Sequence, residues 1–150
     1  MSDLITTELV DLLLTTADRD ATTRRLAGLL AGSGRVTDLE GFIADVRARE
    51  AQMPTGIEGG IGIPHARSAH VTEPSLAFGR SAGGVDYGAP DGPADLIFLI
   101  AAPEGSDADH LKILAALARR LVHASFTDAL RAAVVPQDVV DLVNNEVLGQ

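Results

Sequence analysis

The sequence predicts a single α/β domain, and three observations carry that expectation. After Asp95, the segment Leu96-Ile97-Phe98-Leu99-Ile100-Ala101-Ala102 is a continuous apolar run closed by Pro103, the pattern of a strand covered on both faces and central in its sheet. Residues 39–46 and 110–121 instead carry their apolar side chains at helical spacing. Strand-like and helix-like segments alternate early and helices dominate later. With 150 residues, 46% of them apolar, the chain has material for one ordinary core and too little for two.

In chain order, Glu8-Leu9-Val10-Asp11-Leu12-Leu13-Leu14 is read as a first strand, although so short an apolar run has no decisive period. Asp18 or Asp20 caps a helix through Leu26, Leu29 and Leu30, which stops at Gly32-Ser33-Gly34. Thr37-Asp38-Leu39-Glu40 has capping-box form, and Leu39, Phe42, Ile43 and Val46 then recur at i, i+3, i+4 and i+7 to give a second helix. Ile61 and Ile63 share one face of an extended segment, and Pro64 should end that strand at Ile63. Ser75 to Arg80 alternates as a strand, with Gly83-Gly84 and the 86–93 region read as turns around a short strand or hairpin. Beyond the central run, Ser106-Asp107-Ala108-Asp109 opens a helix whose stripe is His110, Leu114, Leu117 and Leu121. Ser125-Phe126-Thr127-Asp128 opens a short helix through Leu130, and Pro136 starts a last one through Val139, Val140 and Val143.

Composition excludes several classes. There is no cysteine, hence no disulfide framework, thiolate nucleophile or cysteine metal site. The net charge is −9, Lys112 is the one lysine, and basic residues cluster no further than pairs such as Arg119-Arg120, so nucleic acid is not an expected partner. Aromatic residues, 3% of the chain, offer few stacking platforms. No leader pattern begins at Met1, and no apolar run approaches the roughly 20 residues of a membrane span, so the expectation is a cytoplasmic protein not embedded in a membrane.

The chemistry concentrates in Thr55-Gly56-Ile57-Glu58-Gly59-Gly60-Ile61-Gly62-Ile63-Pro64-His65-Ala66-Arg67, where four glycines and a short apolar run lead to a histidine just past a strand end. The glycines allow other groups to approach closely. His65 is thereby a candidate nucleophile, base or ligand. The other histidines are plainer: His110 on an apolar stripe has the form of a satisfied core residue, His70 of loop surface, and His123 of a surface residue favourably placed near a helix end. Arg49, at the end of an amphipathic helix, has the form of a solvent-facing residue. No histidine pair makes H-E-x-x-H, so no metal is expected. Gly79-Arg80-Ser81-Ala82-Gly83 matches the G-x-S-x-G nucleophile elbow, but no helix follows the serine, and the match is read as chance.

These residues resemble a known family. Arg49-Glu50, Thr55-Gly56-Ile57 and Gly60-Ile61-Gly62-Ile63-Pro64-His65-Ala66-Arg67 are similar to the active-site signature of the EIIA domains of the bacterial sugar phosphotransferase system, fructose/mannitol type. Gly84-Val85-Asp86-Tyr87-Gly88, the run 96–103, and His110-Leu111-Lys112-Ile113-Leu114 with Leu117-Ala118-Arg119 agree with it in order and spacing. Two positions depart: Glu58 stands where the family usually has Gly, and Gly62 where it usually has Ala.

The resemblance implies one EIIA domain over residues 1–150, with a mixed sheet flanked by helices. It implies a phosphohistidine relay without metal or cofactor: phosphoryl is accepted from the phosphocarrier HPr on His65, with His110 and Arg49 around it. Phosphoryl then passes to a IIB component, usually at a cysteine, for sugar uptake through a IIC permease. As this chain has no cysteine, that acceptor is expected on another polypeptide. A regulatory, nitrogen-type EIIA module whose phosphorylation state controls partner proteins is the alternative, and a metal hydrolase built on His65, His70 and His110 a more distant one. Glu58 beside phosphate would be repulsive, so its side chain is expected to turn outward.

Overall fold

The computed structural model describes residues 4–105 and 107–147, and the side chains of 107–110 lie outside that description. A short 3-10 turn, Thr7–Leu9, leads into β1 (Val10–Leu14), so the first apolar run is a strand as expected. Asp18 caps α1 (Arg19–Gly32), its carboxylate accepting the N–H of Ala21 at 2.7 Å. The second helix, α2 (Leu39–Gln52), is capped by Asp38 through the N–H of Gly41, one residue later than the capping-box reading from Thr37. Thr37 is drawn away: both its N–H and its hydroxyl donate to the carbonyl of His70. Phe42, Ile43 and Val46 of the α2 stripe are buried.

The chain then forms β2 (Gly56–Ile57) and β3 (Ile61–Gly62), a tight antiparallel hairpin, followed by β4 (His65–Ser68), β5 (Ser75–Val85) and β6 (Ala94–Pro103). One mixed sheet runs β1-β5-β6-β3-β2, with β4 also paired to β6. Pairing is parallel for β1/β5, β3/β6 and β4/β6, and antiparallel for β5/β6. As anticipated, β6 is central, and every residue from Leu96 to Ala102 is buried. Phe78 and Phe98 face each other across β5 and β6 with ring centroids 5.0 Å apart in a tilted pair.

Two strand expectations need correction, while the chance reading of the G-x-S-x-G match holds. The strand before the histidine stops at Gly62, and His65, expected just past a strand end, opens a strand of its own, β4, paired with Ile100. β5 continues through Gly83 and Gly84 to Val85 with a register shift after Arg80, so those glycines form an irregular strand end where a turn was expected. Ser81 of the G-x-S-x-G match is a buried residue of β5 that accepts the N–H of Gly84, and no elbow exists there.

The second half is helical: α3 (Asp107–Leu121), α4 (Ala124–Ala132), α5 (Pro136–Leu142) and a closing π turn, Val143–Val147. Leu117 and Leu121 are buried on the α3 stripe. The expected Ser106 cap lies outside the described residues. His123 is exposed, but it precedes α4 as its N-cap residue and does not lie within the end of α3. Among the described residues no helix is long and apolar enough to cross a membrane.

Candidate functional site

His65 sits half-buried in a cleft of about 1030 Å³. Asp45, Ala48, Arg49 and Gln52 from the last turns of α2 form one wall, and Leu111 and Leu114 of α3 form another. The fold thus brings His65 and Arg49, 16 positions apart in the sequence, to one cavity. His110 lies in the first turn of the helix that supplies the opposite wall, and its side chain is outside the described residues.

The local backbone explains how the histidine is held. Pro64 has no N–H, and its carbonyl accepts the N–H of Ile100. Ile63 lies between β3 and β4. Its N–H donates to the carbonyl of Thr55 at 3.2 Å, and its own carbonyl lies 2.8 Å from Nδ1 of His65. A carbonyl can only accept, so Nδ1 carries the proton and Nε2 the lone pair. Burial pushes the His65 pKa below its ordinary value, opposed by the hydrogen bond that Nδ1–H donates to the Ile63 carbonyl; Arg49 lowers it further and Glu50 raises it. The ring is therefore neutral near pH 7, with a nucleophilic Nε2.

Arg49 is half-buried and donates through Nη1 to the carbonyl of Met53 at 3.1 Å. A guanidinium has five N–H donors, so this single bond leaves donor capacity for an anion in the cleft. On the same wall, Asp45 accepts the hydroxyl of Ser68 at 2.6 Å, fixing α2 to β4.

Close approach requires glycine at two positions before His65, Gly60 and Gly62. Gly60 has φ 79°, and a Cβ there would stand 2.5 Å from a carboxylate oxygen of Asp95. That carboxylate is held by Arg131 of α4, which also donates to the carbonyl of Gly59 and so pins the hairpin turn. At Gly62, a Cβ would lie 2.7 Å from the ring of the fully buried Tyr87, which accounts physically for Gly where Ala is usual. Glu58 is exposed at the hairpin tip and does not line the cleft, in line with the outward orientation expected of it.

Sequence reasoning gave Glu50 no role, yet it is buried and accepts both the N–H (2.9 Å) and the hydroxyl (2.6 Å) of Thr55. Its signal was an acidic residue in the last turn of a helix, where the dipole disfavours negative charge. His70 is half-buried on the turn after β4, 3.9 Å from Asp38. Among the described residues, no group of three or more His, Cys, Asp or Glu is placed to hold a metal ion.

Residues 3–146 match the family described as "Phosphoenolpyruvate-dependent sugar phosphotransferase system, EIIA 2". The sequence is 38% identical over 144 residues to a PTS system fructose-specific EIIA component of Haloferax volcanii, covering 95% of this chain and 94% of that protein. It is 34% identical over 145 residues to a PTS system fructose-specific EIIABC component of Bacillus subtilis, where it covers 96% of this chain but only 23% of the relative's length. In three dimensions the chain superimposes on Nitrogen Regulatory Protein IIA-Ntr from Neisseria meningitidis with a TM-score of 0.86 at 26% identity, covering 93% of this chain and 96% of the other.

Proposed function

The chain belongs to the EIIA 2 family of the phosphoenolpyruvate-dependent sugar phosphotransferase system, and from that membership we propose that it relays phosphoryl groups on His65. The observation that carries this reading is the Ile63 carbonyl at Nδ1, which makes Nε2 the lone-pair nitrogen of a neutral ring in a cleft shared with Arg49.

In the forward step, Nε2 attacks the phosphorus of a phosphohistidine on the phosphocarrier HPr. The new N–P bond forms as the donor's N–P bond breaks, and the electron pair returns to the donor ring. The proton at Nδ1 stays in place, so the His65 ring becomes cationic while it carries the phosphoryl, and the Ile63 carbonyl accepts from a more acidic N–H. Such a transfer asks the protein mainly for in-line alignment and charge stabilisation. Arg49 supplies cationic donors to the phosphoryl oxygens. His110, in the first turn of α3, is assigned the role of a second donor at the positive end of that helix.

In the onward step, an acceptor on a IIB component takes the phosphoryl. If that acceptor is a cysteine, it lies outside these 150 residues, which contain none. The fructose-specific names of two relatives make a fructose-class IIB the first acceptor to try. Incubation with phosphoenolpyruvate, Enzyme I and HPr should label the wild-type protein and not His65→Ala. Equal labelling of both would sink the assignment. The similarity to IIA-Ntr supports a second reading, a regulatory module that reports its phosphorylation state to partner proteins. Transfer of label from the phosphorylated protein to a purified fructose-class IIB supports the first reading. A protein that labels at His65 but passes nothing to IIB supports the second.

A further inference from the structure

Glu50 stands where a carboxylate is locally unfavourable. It lies in the last turn of α2, where unpaired carbonyls make the potential negative, and it is only 9% exposed. Three donors offset that cost. Thr55 gives its N–H to Oε2 and its hydroxyl to Oε1, and Arg19 approaches Oε2 at 3.3 Å. Arg19 is itself fixed, with its guanidinium 5.6 Å from the Tyr87 ring centroid and its Nε donating to the carbonyl of Asp86.

The chain of contacts leads to the reactive ring. Thr55, pinned by Glu50, offers its carbonyl to the N–H of Ile63 at 3.2 Å, and the carbonyl of Ile63 accepts from Nδ1 of His65 at 2.8 Å. Ile63 belongs to neither β3 nor β4, so Thr55 supplies backbone support that a strand partner would otherwise give. Displacing Thr55 would let the peptide after Ile63 rotate and remove the acceptor that selects the Nδ1–H tautomer.

We propose that Glu50 is a positioning residue for His65, acting through Thr55 and Ile63 to hold the imidazole in the Nδ1–H tautomer. The inference rests on His65 being the phosphoryl carrier, and it assigns Glu50 no contact with phosphate. A purely electrostatic role is the competing account, because the Glu50 charge also acts through space on the ring, against Arg49; Asp45, Arg67 and Glu104 line the same cleft.

The test reads the tautomer directly, by long-range proton–nitrogen NMR on protein with ring-labelled histidine, and separately reads steady-state transfer from phospho-HPr. Wild type is expected as Nδ1–H. Glu50→Ala, which leaves two Thr55 donors unpaired, is expected to show mixed tautomers at His65 and a kcat lower by about tenfold at unchanged KM. Glu50→Gln keeps an acceptor oxygen without the charge, and it should restore the tautomer and most of the turnover. Thr55→Val keeps the charge and loses the hydroxyl, and should shift the tautomer in the same direction as Glu50→Ala.

A natively folded Glu50→Ala that retains the pure Nδ1–H form would overturn the proposal, as would Glu50→Gln behaving like Glu50→Ala. If Glu50→Ala does not fold, an unchanged tautomer in Thr55→Val overturns it equally. The spectra need no phosphoryl donor. Failure of wild type to accept phosphate would therefore defeat the carrier reading, while the tautomer would still show whether Glu50 positions His65.

Discussion

Nδ1 of His65 lies 2.8 Å from the carbonyl oxygen of Ile63, two residues earlier in the chain. The ring's only N–H in its neutral form is spent on that bond, and reactivity is confined to Nε2. How readily Nε2 works depends on the ring staying unprotonated.

The first prediction concerns pH. Burial lowers the His65 pKa from its ordinary value of 6.5, so the folded protein takes up this proton at lower pH than the unfolded chain does. Between the two values the unfolded state binds more protons. This group's contribution therefore costs stability as pH falls through 6.5, and the loss levels off below the folded pKa. An NMR titration should place the His65 midpoint below 6.5, with the rate of phosphorylation falling as pH drops through that midpoint. A midpoint above it would contradict the burial argument.

Arg49 is predicted to act on the phosphoryl group more than on protein folding. Arg49→Ala removes a half-buried cation from the cleft, and it should lower the rate of phosphoryl acceptance by about 10²-fold while changing unfolding free energy little. Arg49→Lys should recover only part of the rate, because an ammonium cannot reproduce the planar fork. Rapid-quench measurement of labelled protein, alongside urea melts, separates the two effects.

Gly62→Ala should be destabilising here despite being the usual residue of the family signature. The new methyl would stand 2.7 Å from Cδ2 and 2.9 Å from Cγ of Tyr87, whose ring is fully buried and hydrogen-bonded through its hydroxyl to Thr23. Overpacking of this kind costs about 1–3 kcal/mol. Urea unfolding followed by circular dichroism would read it directly, and an unchanged midpoint would show that the Tyr87 ring shifts freely.

Glu58→Gly should be nearly silent. The side chain is exposed at the hairpin tip, away from the cleft lining, so stability should stay within about 0.5 kcal/mol and labelling of His65 within about twofold. A marked gain in labelling would mean that Glu58 does reach the phosphoryl group.

Much of this arrangement was legible in the sequence because it is local. The run 96–102 announced a central strand, the α2 stripe followed its spacing, and glycines, proline and histidine together marked the mount of His65. What escaped depended on partners distant in sequence. β4 has four residues, His65-Ala66-Arg67-Ser68, too few to show a period, and it is a strand only because β6 lies alongside. Gly83 and Gly84 looked like a turn because an irregular strand end uses the same residues, and only pairing of Val85 with Ala94 distinguishes the two. Thr37 lost the cap of α2 to Asp38 because His70 claimed it. Arg49, read as solvent-facing, joined the site once α2 was laid beside β4, while Glu50 had no role in the sequence and gained one only where Arg19 and Thr55 close around it.

The gap between β3 and β4 has a meaning of its own. β6 is flanked on one side by two short strands in series where one continuous strand could have run, and the interruption falls at Ile63-Pro64. Natural or designed variants that heal this seam, by replacing Pro64 and extending the ladder, would make a more regular sheet and a poorer reagent. The carbonyl of Ile63 lies on the Thr55 side of the chain, as its N–H does, so extending the β2/β3 ladder would recruit it into pairing with Thr55 and withdraw it from the imidazole. Regularity and reactivity compete here for the same oxygen atom, so selection for thermal robustness alone would tend to erase the chemistry.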